Sequence, residues 1–217
     1  MIVANMNLHE VYADLTGETR KLDWKRDTLL NKAVGLLSRR DEFPASVTYD
    51  YKIPSSKNQY VIYFYREHAS APFLAGYLCV LFDDKKRYVI KWTDRGVPEI
   101  LVLTSHFLQR YKERFLRRDD LSANEVAVRF LSRNRRLRPM AVDERISKRV
   151  SEYGEFAGEG FLSTDGFCFK LSGEETVAEG DPVRISLFTT FMPLDEMSEA
   201  QREAIMEECI RGVESLR

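Results

Sequence analysis

Leu29, Leu30, Ala33, Val34 and Leu37 recur at the i, i+1, i+4, i+5, i+8 spacing of one helix face. That spacing predicts a helix over 23–40, closed off by Pro44. Beyond it the period changes. Apolar and β-branched runs at about 46–52, 59–67, 73–82 and 86–92, and a short one at Glu99–Leu103, succeed one another with no helical stretch between them. Gln59-Tyr-Val-Ile-Tyr-Phe-Tyr-Arg66 is apolar or aromatic at almost every position, as in a strand covered on both faces. Asp83–Lys86 and Thr93–Gly96 read as turns. Strands this close in sequence leave no room for parallel crossovers, so an antiparallel meander is expected.

The helical period returns at Thr104. Thr104 or Ser105 can cap a helix through about Leu116, and Ser122-Ala-Asn-Glu125 matches a capping box opening a second helix to about Arg135. Pro139 punctuates the chain beyond that helix. Strands are expected near 153–163 and 167–172, joined by an Asp165-Gly166 turn. After an acidic, Gly-containing loop from Gly173 to Asp181 comes a strand at 183–191, stopped by Pro193. Ser198-Glu-Ala-Gln201 is another capping box, starting a last helix to about Val213. Helix, strands, two helices, strands, helix is an α+β order: a mainly antiparallel sheet with flanking helices. With 217 residues the chain suits one domain, with sub-parts 1–103 and 104–217.

Composition narrows the class. Hydrophobic residues make up 44% and charged residues 31%, too apolar for a disordered chain. There is no run of 18 apolar residues and no signal-peptide pattern at the N-terminus, so no membrane partner is expected. Cys79, Cys168 and Cys209 are odd in number and widely spaced, and they read as small hydrophobes in a reducing, cytoplasmic setting.

The net charge of −1 conceals a segregation. Residues 1–103 carry +2, residues 104–150 carry +7 and residues 151–217 carry −10. Eleven of the 13 basic residues in the middle block are Arg, which can grip a phosphate with two parallel hydrogen bonds. The block can serve a polyanion such as RNA, or it can pack against the acidic third of its own chain.

Much familiar chemistry is missing. No P-loop, no Gly-x-Ser-x-Gly and no dinucleotide fingerprint occurs, and His9, His68 and His106 lack the spacing of zinc ligands. Neither a metal nor a cofactor is expected. One segment is suggestive. On a helix over 104–118, Phe107, Leu108, Tyr111 and Phe115 form a core-facing stripe, and His106, Arg110, Glu113 and Arg117 line up beside it with Arg114 at the border. His106 falls in the first turn, where the helix dipole disfavours imidazolium and free N–H groups attract anions. A neutral His with Arg residues one turn apart can take a proton from a 2′-hydroxyl and hold the charge that develops on phosphate. Arg117, Arg118, Arg133, Arg135 and Arg136 extend the candidate nucleic-acid contacts. The plainer reading is that the His is a solvated helix-start residue and the Arg stems cover apolar surface.

The string Leu103-Thr-Ser-His106-Phe-Leu-Gln-Arg110-Tyr-Lys-Glu-Arg114 resembles the start of small toxin-like RNases of the RelE/colicin-type superfamily, BrnT-like toxins included. There a strand leads into Ser/Thr-Pro-His, then a hydrophobic residue and two Arg at helical spacing. Here Ser105 replaces the Pro, the likeness covers 104–191, and residues 1–103 have no counterpart. The resemblance implies a helix before a short antiparallel sheet, RNA cleavage by His106 with Arg110 and Arg114, and Thr189 and Thr190 on the last strand facing the same site. From another class comes a non-catalytic interaction or scaffolding module of a mobile element or phage, meeting a protein partner through its Arg-rich segment or acidic C-terminal third.

Overall fold

The computed structural model describes residues 2, 6–82, 86–94, 97–141, 145, 159–175 and 182–214. Helix α1 runs from Leu8 to Leu37, fifteen residues further back than its apolar spacing predicts. Its start is fixed by Asn7: the side-chain oxygen accepts from the Glu10 N–H at 2.9 Å, and the Glu10 carboxylate accepts from the Asn7 N–H at 2.9 Å. The first half of α1 belongs to the fold because Leu8, Val11, Leu15 and Leu22 reach the core.

Five strands come next: β1 (Ala45–Lys52), β2 (Gln59–Arg66), β3 (Leu74–Phe82), β4 (Lys86–Asp94) and β5 (Val97–Leu103). They form the expected antiparallel meander. The chain then leaves the sheet as α2 (Ser105–Tyr111), a π-helical turn (Lys112–Leu116) and α3 (Ala123–Arg133). It rejoins the sheet at the far edge, through β6 (Arg138–Ala141), β7 (Glu159–Leu162), β8 (Gly166–Glu175) and β9 (Val183–Pro193). A 3-10 turn (Leu194–Glu196) leads to α4 (Glu199–Glu214).

The sheet order is β1-β2-β3-β4-β5-β9-β8-β7-β6. It is two antiparallel meanders joined by one parallel pair, β5 with β9. The fold is α+β, and the parallel seam is the departure from a simple meander. It is a consequence of the path: a second meander that starts at the opposite edge ends beside β5 running in the same direction. Strand β6 is a further departure, because it contains Pro139, which an edge strand tolerates. The strand expected from 153 is described only from Glu159, and 176–181 of the expected loop lie outside the described residues.

Side-chain alternation assigns the helices to faces. On one face, Leu15 and Leu22 of α1 pack with Tyr60, Cys79, Val89 and Val102, and Ala204 and Ile205 of α4 pack with Phe167, Phe169 and Met192. The other face takes α2 and α3, with Phe107, Tyr111, Val126 and Phe130 against Val61, Tyr65, Leu101, Phe188 and Phe191. Among the described residues, no helix is long and apolar enough to cross a membrane.

The three aromatic residues of the expected stripe are not equivalent. Phe107 and Tyr111 are fully buried, whereas Phe115 is only half-buried. Phe115 stacks on Tyr111 with centroids 5.3 Å apart, and the Arg133 guanidinium lies 5.2 Å from its ring centre. Phe107 is edge-on to Phe130 at 4.9 Å and 5.2 Å from Phe188. Phe107→Ala should therefore destabilise by about 3–5 kcal/mol, the cost of a large ring leaving a closed cavity. Phe115→Ala should cost clearly less. Urea titrations of the two variants check the order, and equal losses would contradict it.

Candidate functional site

Thr104 sets the start of α2. Its hydroxyl accepts from the Phe107 N–H at 3.1 Å and donates to the Phe188 carbonyl at 2.8 Å, tying the helix start to β9. His106 comes next, in the first turn, and is exposed. The α-helix is only seven residues long, and its cap already takes the Phe107 N–H.

After Tyr111 the helix widens into the π turn, closed by the Arg117 N–H to the Lys112 carbonyl at 2.8 Å. Arg117 ends it in the left-handed region, φ 50°. The extra residue breaks the straight line that a uniform helix would give His106, Arg110, Glu113 and Arg117. Arg114 turns to β9, donating to the Phe191 carbonyl at 3.1 Å, with Glu196 3.9 Å away. Arg117 meets Asp195 at 3.4 Å. Arg110 pairs with Glu113 at 3.3 Å. The Gln109 amide and the Arg110 cation hold the Glu113 carboxyl below its ordinary range. The flank of α2 thus runs from His106 through Arg110 to Arg114 and Arg117, the last two bordered by the turn after β9.

Other expected residues fall elsewhere. Thr190 is paired with Phe169 and alternates with Phe191, which packs on Tyr111, so Thr190 belongs to the α4 face of the sheet. It cannot share a site with His106. Thr189 is tied to the Phe169 carbonyl at 3.2 Å. The register shift at Phe169/Lys170 resets the alternation that a plain strand would give. Arg118 is closed in a bidentate pair with Asp120, two contacts of 2.8 Å, which lowers the Asp120 pKa to about 2. Arg135 and Arg136 are exposed beyond α3.

Arg133 has a different role from the one its charge suggests. It donates to both carboxylate oxygens of Asp165, at 2.9 to 3.2 Å, and also to Glu67. Asp165 is buried, and it further accepts from the Tyr111 hydroxyl at 2.6 Å and the Asn134 amide at 2.9 Å. The Asn134 Oδ1 accepts the Asp165 N–H at 3.0 Å, and Tyr65 donates to Glu67. Burial, and then the Asp165 charge, push the Tyr111 phenol up, so it remains a neutral donor. This network ties β2, α2, α3 and the β7–β8 turn together. Sequence reasoning reads Asp165 as turn chemistry and Tyr111 as core, and the hairpin turn is indeed there. The partners of Asp165 and Arg133 lie 31 to 66 residues apart, so no local spacing joins them.

The cysteines behave as small hydrophobes. Cys79 and Cys168 are free and buried, and burial pushes the Cys79 thiol up to about 12. Among the described residues, no group of His, Cys, Asp and Glu is arranged to hold a metal.

No protein-family model, curated protein or solved structure matches the chain.

Proposed function

We propose that the chain binds RNA through phosphate contacts along the α2 flank, with Arg110, Arg114 and Arg117 as the gripping cations and His106 as the residue placed to act on the phosphodiester. One observation carries the reading. These three guanidinium groups succeed an exposed His along one flank, and their carboxylate partners are themselves exposed, at 3.3 to 3.9 Å. Exposed pairs of this kind contribute about 0–1 kcal/mol each, so a phosphate can displace the carboxylate at little cost. Arg133 leaves the set of phosphate contacts, committed to the buried Asp165, whereas Arg118 stays in it, since its pair with Asp120 is as exposed as the others. Arg135 and Arg136 remain as outlying contacts.

A second reading rests on where some of the partner carboxylates sit. Arg114, Arg117 and Arg145 pair with Glu196, Asp195 and Glu207, all in the acidic C-terminal third. That is internal neutralisation, as expected of a protein-interaction module. Salt-dependent binding separates the two. RNA retention should fall steeply with ionic strength, with a log–log slope of about −0.7 per phosphate contact on single strands. Arg110→Ala and Arg114→Ala should each weaken binding and flatten the slope by about one contact. Filter retention of a single-stranded RNA between low and moderate salt reads both. A wild-type protein that retains no RNA at low salt excludes the nucleic-acid reading and leaves the interaction module.

A further inference from the structure

The first meander contains a wedge. Strand β2 holds β3 from Leu74 to Val80, and β5 holds β4 from Tyr88 to Asp94. Yet β3 and β4 pair with each other only where Cys79–Phe82 faces Lys86–Val89. Among the described residues, the facing edges of Leu74–Leu78 and of Ile90–Asp94 have no partner strand. Alternate backbone N–H and C=O groups on those edges point into the gap. A cleft of about 300 Å³ lies there, lined by Gly76 and Tyr77 on one side, by Ile90 and Lys91 on the other, and by Leu15 and Thr19 of α1 across the Lys91 face. Tyr63 closes one wall. Its ring lies across Gly76, where a Cβ would come 2.5 Å from the phenol oxygen, so glycine is what lets the ring lie there.

The two sides of the gap differ in chemistry. Lys91 lies on the α1 face, opposite Ile100 in register. Its ammonium is held by neutral groups, the Thr16 hydroxyl at 3.4 Å and the Tyr12 ring at 5.4 Å. Arg26, on the same side, is already committed to Asp23 and Asp27. Tyr63 and Ile90 belong to the opposite face, where they pack against the apolar core.

We infer that this wedge accepts an extended peptide segment as an added strand, one that alternates acidic residues toward Lys91 with apolar residues toward Tyr63 and Ile90. Backbone pairing along two open edges supplies the ladder, and the alternation of side chains across a strand supplies the selectivity. The proposal is independent of the α2 flank.

The probe is a fluorescein-labelled acetyl-Val-Glu-Val-Glu-Val-Glu-amide, read by anisotropy against the full chain. The Val-Lys counterpart should bind at least about tenfold more weakly, because its charge is repelled by Lys91. Lys91→Glu, at an exposed position, should reverse that order without disturbing the fold. A Val-Glu peptide N-methylated at alternate amides should lose about tenfold or more, since it cannot donate to the ladder. Hydrogen exchange should show new protection at Ala75–Tyr77 and Ile90–Lys91 on binding. Equal affinity of the methylated peptide would overturn strand addition. So would protection of those amides before any peptide is added, which would mean that the chain fills its own wedge.

Discussion

Arg133→Met should cost about 3–5 kcal/mol of stability, because it strands the Asp165 carboxylate in the interior. The Asp165 side chain is 2% exposed, and Arg133 supplies its only cation among the described residues, through both carboxylate oxygens. Tyr111 and Asn134 would remain as donors, but two neutral hydrogen bonds do not replace a bidentate guanidinium. Arg133→Lys should recover little, since an ammonium cannot span both oxygens and cannot lie flat over Phe115. The control is the pair. Asp165→Asn alone should destabilise, and adding Arg133→Met to it should cost far less than Arg133→Met does in the wild type. A coupling of that sign, between about 0.5 and 3 kcal/mol, is what contacting groups show. Guanidinium unfolding of the four proteins measures it. A single-variant loss below about 1 kcal/mol would show that the carboxylate is solvated after all.

That network explains why the sheet is legible in the sequence and the polar interior is not. The strands of the first meander arise from local pattern: the run from Tyr60 to Tyr65 is apolar or aromatic throughout, and all six of its side chains join the clusters that pack against helices on the two faces. The helix boundaries at Ser122 and Ser198 come from caps of three-residue reach. Asn7-x-x-Glu10 is the same signal and marks a start that apolar spacing alone places too late. The parallel seam between β5 and β9 is a property of chain path, set more than 80 residues apart, and has no local trace. The π turn is equally silent. It is what moves Arg114 onto β9, so the even row expected at 100° per residue becomes a flank that meets the Asp195–Glu196 turn. Thr190 falls on the wrong face for a related reason, a register shift that only strand pairing reveals.

His106→Ala is the substitution that separates binding from chemistry on the α2 flank. If His106 takes the proton of a 2′-hydroxyl, that oxygen attacks the adjacent phosphorus and the 5′-oxygen leaves with a proton from solvent. The product is then a 2′,3′-cyclic phosphate. A positioned base contributes about 10²–10⁴-fold, so the variant should lose cleavage by that factor. Its salt slope on RNA should change far less than that of Arg110→Ala, because the phosphate contacts are made by the guanidinium groups. Arg110→Ala should lower cleavage and flatten the slope together, since its cation serves both the ground state and the charge that develops on phosphate. An RNA carrying a single 2′-deoxy residue should resist cleavage at that position while binding as before, for want of the nucleophile. The result that sinks the catalytic role is a His106→Ala protein that cleaves as fast as the wild type. A wild type that binds RNA with a clear salt slope and leaves it intact would make the flank a phosphate-binding surface without chemistry, with His106 as its exposed end.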